Sequence, residues 1–307
     1  MLRYTLLRML GAIPTLLLVI ALTFLMVHAA PGGPFDDERV LSADVAKNIQ
    51  RAYHLDEPLP KQFARYMSGL LRGDLGPSYR LRDYTVSELI GLTFPLSLKL
   101  GALAMSLAIV VGVGAGTIAA LRQGSYLDRW VMAFSMTGIS IPVFVIAPIF
   151  VLLFSVKLQW LPVGWSSTTG ASRMLLPVIT LALPQIAYIA RLTRASMIDV
   201  LSRDFIRTAR AQGLGMAAVI RLHALRPALL PVLSYMGPAI AAILTGSVVV
   251  EEVFGIPGLG QAFVGGALNR DYTLVLGIVI FYATLIISLN LIVDVLYGVI
   301  DPRVRYR

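Results

Sequence analysis

The chain has 307 residues, 57% of them hydrophobic and 14% charged, where soluble domains carry roughly 25% charged residues. A net charge of +9 in a soluble protein would point to nucleic acid, but in so apolar a chain the excess serves to orient it in a membrane. The absence of cysteine excludes disulfides, thiol catalysis and cysteine metal sites. The histidines His28, His54 and His223 lie too far apart to form a helical metal-ligand pair.

Six apolar runs predict six transmembrane helices, since backbone groups in lipid must pair within their own segment and each residue adds about 1.5 Å of rise. They cover residues 9–27, 98–121, 130–156, 175–190, 228–250 and 274–297. The first run, after Arg3 and Arg8, has the flanks of a secretory signal, but its length and the early Pro14 fit a retained span better.

Residues 31–92 form a polar segment that reads as a small outer cap. Within it "EPLPKQFARYMSGLLRGDLG" predicts a short amphipathic helix, started by Pro58 and Pro60 and ended by Gly73. Phe63, Met67, Leu70 and Leu71 form its apolar face. The chain thus divides into a first helix (1–30), the cap (31–92) and a core (93–307).

In the second span Ala104, Ala108, Gly112, Gly116 and Ala120 recur every four residues, and the fifth repeats the pattern with Gly237, Ala241 and Thr245. Small residues in a stripe let helix backbones approach closely in lipid. Pro142, Pro148, Pro177, Pro184, Pro231 and Pro238 fall within or at the ends of spans three to five, and each interior proline invites a kink. Lys99 stands at the start of the second span and Asp294 near the inner end of the sixth, in register with Asn290, Tyr297 and Asp301; this register suits a hydrogen-bonded anchor better than a proton relay.

Charge fixes the orientation. With both termini inside, the inner segments hold fourteen arginines (Arg3, Arg8, Arg122, Arg129, Arg191, Arg194, Arg203, Arg207, Arg210, Arg221, Arg226, Arg303, Arg305, Arg307) against Asp128, Asp199, Asp204 and Asp301. That asymmetry is the positive-inside pattern. No lysine stands in a Gly-Lys-Ser/Thr phosphate loop, and no HExxH or GxSxG occurs. Any energy used comes from an ion gradient or from another protein.

The inner segment 191–227 carries helical patterning of its own. Arg203, Arg207 and Arg210 share one face, with Phe205, Ala209 and Gln212 on another. Gly213 is a natural helix stop, able to adopt left-handed backbone. After it "MAAVIRLHAL" predicts a second short helix over 216–224, stopped by Pro227. A segment that only faced lipid headgroups would not need that hinge.

This stretch resembles the EAA loop of ABC-importer permeases, whose pattern is EAA, three residues, Gly, nine residues, then I-x-L-P. Arg207, Thr208 and Ala209 take the EAA positions, Gly213 the glycine, and His223, Ala224, Leu225 and Arg226 the last four. Ala209, Gly213 and Leu225 match; the glutamate, isoleucine and proline do not, although Pro227 follows one place later. "FIRTARAQGL" and "HALRPALLP" resemble the form the loop takes in peptide importers. So do "RMLGAIPTLLLVIALTFLMVHAAPG", "GDLGPSY", "VVVEEVFGIPGLGQ", "GALNRDYTLVLG" and "LIVDVLYGVIDPRVRY", which spread the resemblance over nearly the whole chain. The short loop between the third and fourth spans is closer to the oligopeptide branch than to dipeptide relatives.

The resemblance implies an all-α, six-helix type I ABC-importer permease of a bacterial inner membrane. Its partners would be a second, homologous permease, two ATPase subunits that hold ATP and Mg, and an extracytoplasmic peptide-binding protein. The chain itself would carry no cofactor, no metal and no catalytic group. It also implies a coupling helix around Met216, Arg221, His223 and Leu225, hinged at Gly213, with Arg207, Arg210 and Arg226 as contact or orienting charges. Glu251, Phe254, Pro257 and Gly258 are expected near the binding protein. Other readings are a dipeptide or metal-chelate importer of the same branch, or a self-sufficient secondary transporter, which would show paired repeats and ion ligands at mid-depth.

Overall fold

The computed structural model describes the backbone of residues 2–30, 48, 50–81, 83–162, 164–166 and 172–300, and within these ranges the side chains between Leu10 and Val293. The side chain of Asp294, the C-terminal arginines and all of 31–47 therefore lie outside what is described. Among the described residues five helices have the length and composition to cross a membrane, or six if the bent pair Tyr126–Ser140 with Val143–Lys157 counts as one span.

The chain separates into two compact units, one of residues 96–256 with 288–307 and one of 2–95 with 257–287. In chain order the helices are α1 (Leu2–Ala29), α2 (Leu59–Leu71), α3 (Val86–Leu121), α4 (Tyr126–Ser140), α5 (Val143–Phe150), α6 (Ser172–Leu201), α7 (Asp204–Ala211), α8 (Met216–Val219), α9 (Leu225–Ala228), α10 (Leu230–Phe254), α11 (Leu259–Leu268) and α12 (Tyr272–Ile300). Wider π turns follow α5 at Val151–Lys157 and α8 at Ile220–Ala224.

Of the prolines expected to kink a span, Pro142 breaks one outright. α4 and the α5 stretch meet at 104°. The cause is local: Ile141, preceding the proline, is extended at φ −91, ψ 120, as the clash with the proline ring demands. Pro148, Pro177, Pro184 and Pro238 sit inside continuous helices. Pro231 occupies the first turn of α10, where no intrahelical N–H is needed.

The larger unit is built on the small-residue stripe of α3. Ala104 and Ala108 are fully buried and Ala120 nearly so. A methyl group on Gly112 would lie 2.9 Å from Ile189 Cβ and 3.0 Å from the Ile186 carbonyl oxygen of α6. One on Gly116 would strike the Ala190 carbonyl and lie 2.8 Å from Thr193 Cβ. Glycine is required here for space, not for backbone conformation. The second stripe holds less completely: Gly237 is buried against Asn290 of α12, while Thr245 is exposed and donates to its own helix at Ala241 O, 3.0 Å away.

The span-to-span core gathers Leu100, Leu176, Leu181, Ile189, Ile243 and Val250. α4 is tied to α6 by a two-pronged ion pair, Arg194 Nε and Nη2 donating to Asp128 at 2.5 and 2.7 Å. Asp128 also accepts the Gly124 N–H at 2.9 Å. Lys99 is exposed and lies inside α3, which starts well before the apolar run and so places this residue away from the helix end.

In the smaller unit α2 begins after Pro58 and ends before Gly73, which takes φ +78. Its Phe63 meets Phe24 of α1 edge-on at 5.2 Å, and Gln62 lies 3.2 Å from His28 Nε2. Leu71, expected on the apolar face, is 84% exposed; at the last position of the helix it has passed beyond the surface that Phe63 covers. α3 starts with a capping box: the Thr85 N–H and hydroxyl both donate to Glu88 Oε2 at 2.8 Å, and Glu88 N–H returns a bond to Thr85.

Candidate functional site

The basic loop is a folded element with a core of its own. Ile206 and Ala209 of α7, Val219 of α8, Ala224 of the π turn and Ala228 of α9 bury together with Met197 and Val200 of α6 and Ala120 of α3. The buried face of α7 is therefore Ile206 and Ala209. Phe205, placed with Ala209 by its sequence spacing, is 47% exposed, and Gln212 is exposed as well. On so short a helix the apolar stripe is set by which turn reaches α6, and this is the Ile206 turn.

Gly213 ends α7 at φ +83. The Gly213 N–H donates to Arg210 O at 3.0 Å and the Leu214 N–H to Ala209 O at 3.3 Å, the paired bonds of a Schellman stop. No heavy atom lies within 4 Å of where a Gly213 side chain would begin, so the glycine is there for its backbone alone.

The second helix does not stop at Pro227. Helical backbone continues from Met216 through the π turn to Ala228, and α10 begins at Leu230. The wide turn directly before Leu225 shifts the carbonyl that a proline ring would otherwise strike.

The remaining surface is basic and apolar together. Arg207, Thr208, Arg210, Met216, Arg221 and Arg226 are exposed, while His223 and Leu225 are half-buried. Phe205, Met216 at 45% and Leu222 at 58% exposure stand out among them. Arg207 reaches Asp204 at 3.3 Å and Arg203 reaches Asp199 at 2.7 Å, exposed pairs of small energetic weight. Phe205 and Leu222 carry no mark in the sequence beyond being apolar in a polar loop.

The four residues expected at an outer contact divide differently. Glu251 and Phe254 are buried, as is Gly258, and Pro257 is exposed. Glu251 and Phe254 instead close the end of α10. Gly255 is left-handed at φ +59, and the Ile256 N–H donates to Glu251 O at 2.8 Å. Phe254 O accepts the Trp165 N–H at 3.0 Å.

The smaller unit holds an aromatic cavity of about 700 Å³, with Phe24, His28, Tyr53, Tyr66, Tyr79 and Tyr272 in its walls. Sequence reasoning found no site there. Its floor joins two distant motifs, "GDLGPSY" and "NRDYTL". Buried Asp271 accepts from the Ser78 hydroxyl, from the Arg80 N–H at 3.3 Å and from the Leu274 N–H at 3.2 Å, so it caps α12 while pinning the 76–81 loop. Burial raises the Tyr66 and Tyr79 hydroxyls above the usual tyrosine range, with the Asp271 charge adding to the effect at Tyr79. Among the described residues no three histidines or carboxylates converge as a metal site.

Within the spans, Tyr235 of α10 donates to buried Gln185 of α6 at 2.8 Å and stacks on Tyr188 with ring centres 4.1 Å apart. This polar cluster also escaped the sequence reading, because its members are 50 residues apart.

Comparison with known proteins agrees with this architecture. Residues 112–306 match the family model described as binding-protein-dependent transport system inner membrane component, and residues 1–96 match the N-terminal model of the same system. The chain is 54% identical over 306 residues to the oligopeptide transport system permease protein OppB of Salmonella typhimurium, covering all of both chains. It is 40% identical over 305 residues to the dipeptide transport system permease protein DppB of Bacillus subtilis, covering 99% of this chain and 98% of that one. A chain of the MetNI methionine ABC transporter superposes with a TM-score of 0.56 at 18% identity, over 70% of this chain and 97% of that chain; it shares the fold. The chain therefore belongs to the inner-membrane components of binding-protein-dependent transport systems.

Proposed function

We propose that this chain is one permease subunit of an ATP-driven oligopeptide importer. It forms half of the translocation path with a second, homologous permease. Two ATPase subunits on the cytoplasmic side hold ATP and Mg, and an extracytoplasmic binding protein delivers the peptide.

The observation that carries this reading is the basic loop in a chain 54% identical over its full length to an oligopeptide permease. The loop is tied to α6 and α3 by buried contacts, yet it presents Phe205, Met216, Leu222 and five arginines outward. A rigid element of that kind transmits a rigid-body movement, whereas a floppy one would absorb it. Exposed aromatic, Met and Arg side chains are the composition of a protein-binding surface. Oligopeptide is preferred to dipeptide as cargo because the oligopeptide relative matches at 54% identity and the dipeptide relative at 40%.

The test is purification of the chain from solubilised native membrane, followed by an ATPase assay of the eluate. Co-purified P-loop subunits whose hydrolysis rises with peptide-loaded binding protein are expected. A chain that elutes alone and transports peptide in vesicles without ATP would establish a secondary transporter instead.

A further inference from the structure

In the last turn of α1 both ring nitrogens of His28 face an acceptor. Nδ1 lies 2.8 Å from the Phe24 carbonyl oxygen, one turn back on the same helix. Nε2 lies 3.2 Å from Gln62 Oε1 of α2. The Gln62 amide cannot be turned over to offer its nitrogen instead. Its Nε2 already donates to the Leu55 and Glu57 carbonyls at 3.2 and 2.8 Å, and a flipped amide would set oxygen against both. A neutral imidazole has one N–H and one lone pair, so it meets one of its two acceptors and turns a lone pair on the other. The ring satisfies both contacts only when it carries both protons.

The same ring is a packing element. Its centre lies 4.1 Å from that of Phe24 and 5.1 Å from that of Tyr272, the first residue of α12. Tyr272 is buried, and the neighbouring Asp271 pins the 76–81 loop. His28 thus stands where α1, α2 and α12 come together on the aromatic cavity.

Other titratable groups share that cavity. On α2, Lys61 and Arg65 pair with Glu57 at 3.1 and 2.8 Å, and Tyr66 carries a buried hydroxyl. His54, ahead of α2, lies 3.6 Å from Glu57. Arg72 is exposed, and Asp74 accepts the Gly76 N–H at 2.8 Å. Tyr53, Tyr79 and Tyr272 add hydroxyls. Among the described residues no carboxylate pairs with His28, so both of its acceptors are neutral oxygens.

We propose that His28 is a proton-operated latch, which fastens the cap helix α2 to the end of α1 when doubly protonated and releases it on losing one proton. Of the two bonds, the one inside α1 is the shorter, so the one given up is the bond to Gln62. The latch is therefore closed in acid and opens as pH rises through the range of about 5 to 8 in which histidine titrates. The proposal does not depend on what the complex transports.

Backbone hydrogen exchange over residues 55–71 of the intact complex tests it, compared at about pH 5.5 and about pH 8 after correction for the intrinsic exchange rate. Protection is expected to fall about tenfold as pH rises, the effect of losing one hydrogen bond to a charged group. In His28→Asn it should not change with pH, whereas His54→Gln should keep the wild-type dependence. Gln62→Leu leaves the His28 ring contacts in place and should lower protection to a level independent of pH. Equal protection of the wild type at both pH values overturns the proposal. So does a dependence that survives in the His28 or Gln62 variant, or one that disappears with His54.

Discussion

Substitutions at Gly213 separate backbone demand from packing demand. The residue is left-handed at φ +83 with no atom within 4 Å of a would-be side chain. The whole cost of a substitution is therefore conformational. Alanine there should cost about 1–2 kcal/mol, asparagine less because it tolerates this region, and valine more because its branched Cβ does not. Since about 1.4 kcal/mol is a factor of ten in an equilibrium, alanine should raise opening of the loop roughly tenfold and valine further. Hydrogen exchange of the backbone over residues 204–228 measures this opening, and peptide-stimulated ATP hydrolysis by the assembled complex reads its consequence. The order expected in both is Gly, Asn, Ala, Val, from best to worst. A valine variant with wild-type exchange and wild-type stimulation would refute both the stop at Gly213 and the need for a rigid loop.

Gly116→Ala tests the opposite case: its methyl meets the Ala190 carbonyl of α6, so α3 and α6 must separate, a cost of about 1–3 kcal/mol seen as a lower melting temperature, and an unchanged one would contradict the close approach. Asp128→Asn removes the charge partner of Arg194; with Asp128 5% and Arg194 25% exposed, a loss of about 2 kcal/mol is expected, below the 3–5 kcal/mol of a fully buried pair, and restored stability in an Asp128→Asn, Arg194→Leu double variant would confirm that the orphaned charge is the cause. Ile206→Ala, at a side chain 2% exposed, should loosen the loop by about 2–4 kcal/mol, whereas Arg207→Gln, at 76% exposure, should leave loop exchange within about 0.5 kcal/mol of wild type and weaken only the affinity for the ATPase subunits. Glu57 is held below the usual carboxylate range by hydrogen bonds from Lys61 and Arg65; its contribution to the cap is present above the unfolded value of about 4.3 and disappears as pH falls through the lowered folded value, so Glu57→Gln should lower cap stability on the neutral plateau and converge with wild type in acid.

The parts of this architecture that local chemistry dictates are legible in the sequence. Gly213 announces a helix stop and the four-residue stripe from Ala104 to Ala120 a close helix contact, and both are found; six prolines alike invite kinks, and nothing in the pattern singles out Pro142 as the one where the chain bends by 104°. Thr85 and Glu88 spell a capping box that equally marks the start of α3, and it was the missed signal at that boundary. What pattern alone cannot give is the partner of a face. Phe205 and Ile206 are equally apolar neighbours, and only the position of α6 decides that Ile206 is buried and Phe205 is not. Pairs such as Asp128 with Arg194, 66 residues apart, or Ser78 with Asp271, 193 apart, leave no trace in spacing. Glu251 illustrates the same limit: a carboxylate at the edge of an outer loop reads as surface, yet α10 runs on to Phe254 and Glu251 within it is fully buried.

The division of labour within the loop bears on how force would pass through this chain. The arginines that make the segment conspicuous are exposed and weakly paired, so they cannot be what holds the loop to the spans. That task falls to Ile206, Ala209, Val219, Ala224 and Ala228, which close on Met197 and Val200 of α6. α6 also carries Arg194, which grips α4; the Ile189–Ala190 surface, against which the glycines of α3 lie; and Gln185, which accepts from Tyr235 of α10. Four elements thus bear on one helix through contacts that leave little room to yield: a carbonyl against a glycine, a two-pronged ion pair, a hydrogen bond to a buried glutamine and a close-packed apolar cluster. Packed interiors shift between discrete arrangements and do not deform smoothly. A displacement imposed on the loop by a partner must therefore move α6 as a body and carry α3, α4 and α10 with it. The proposed coupling role thus needs no chain of charged residues through the membrane: a rigid loop and one heavily contacted helix are sufficient.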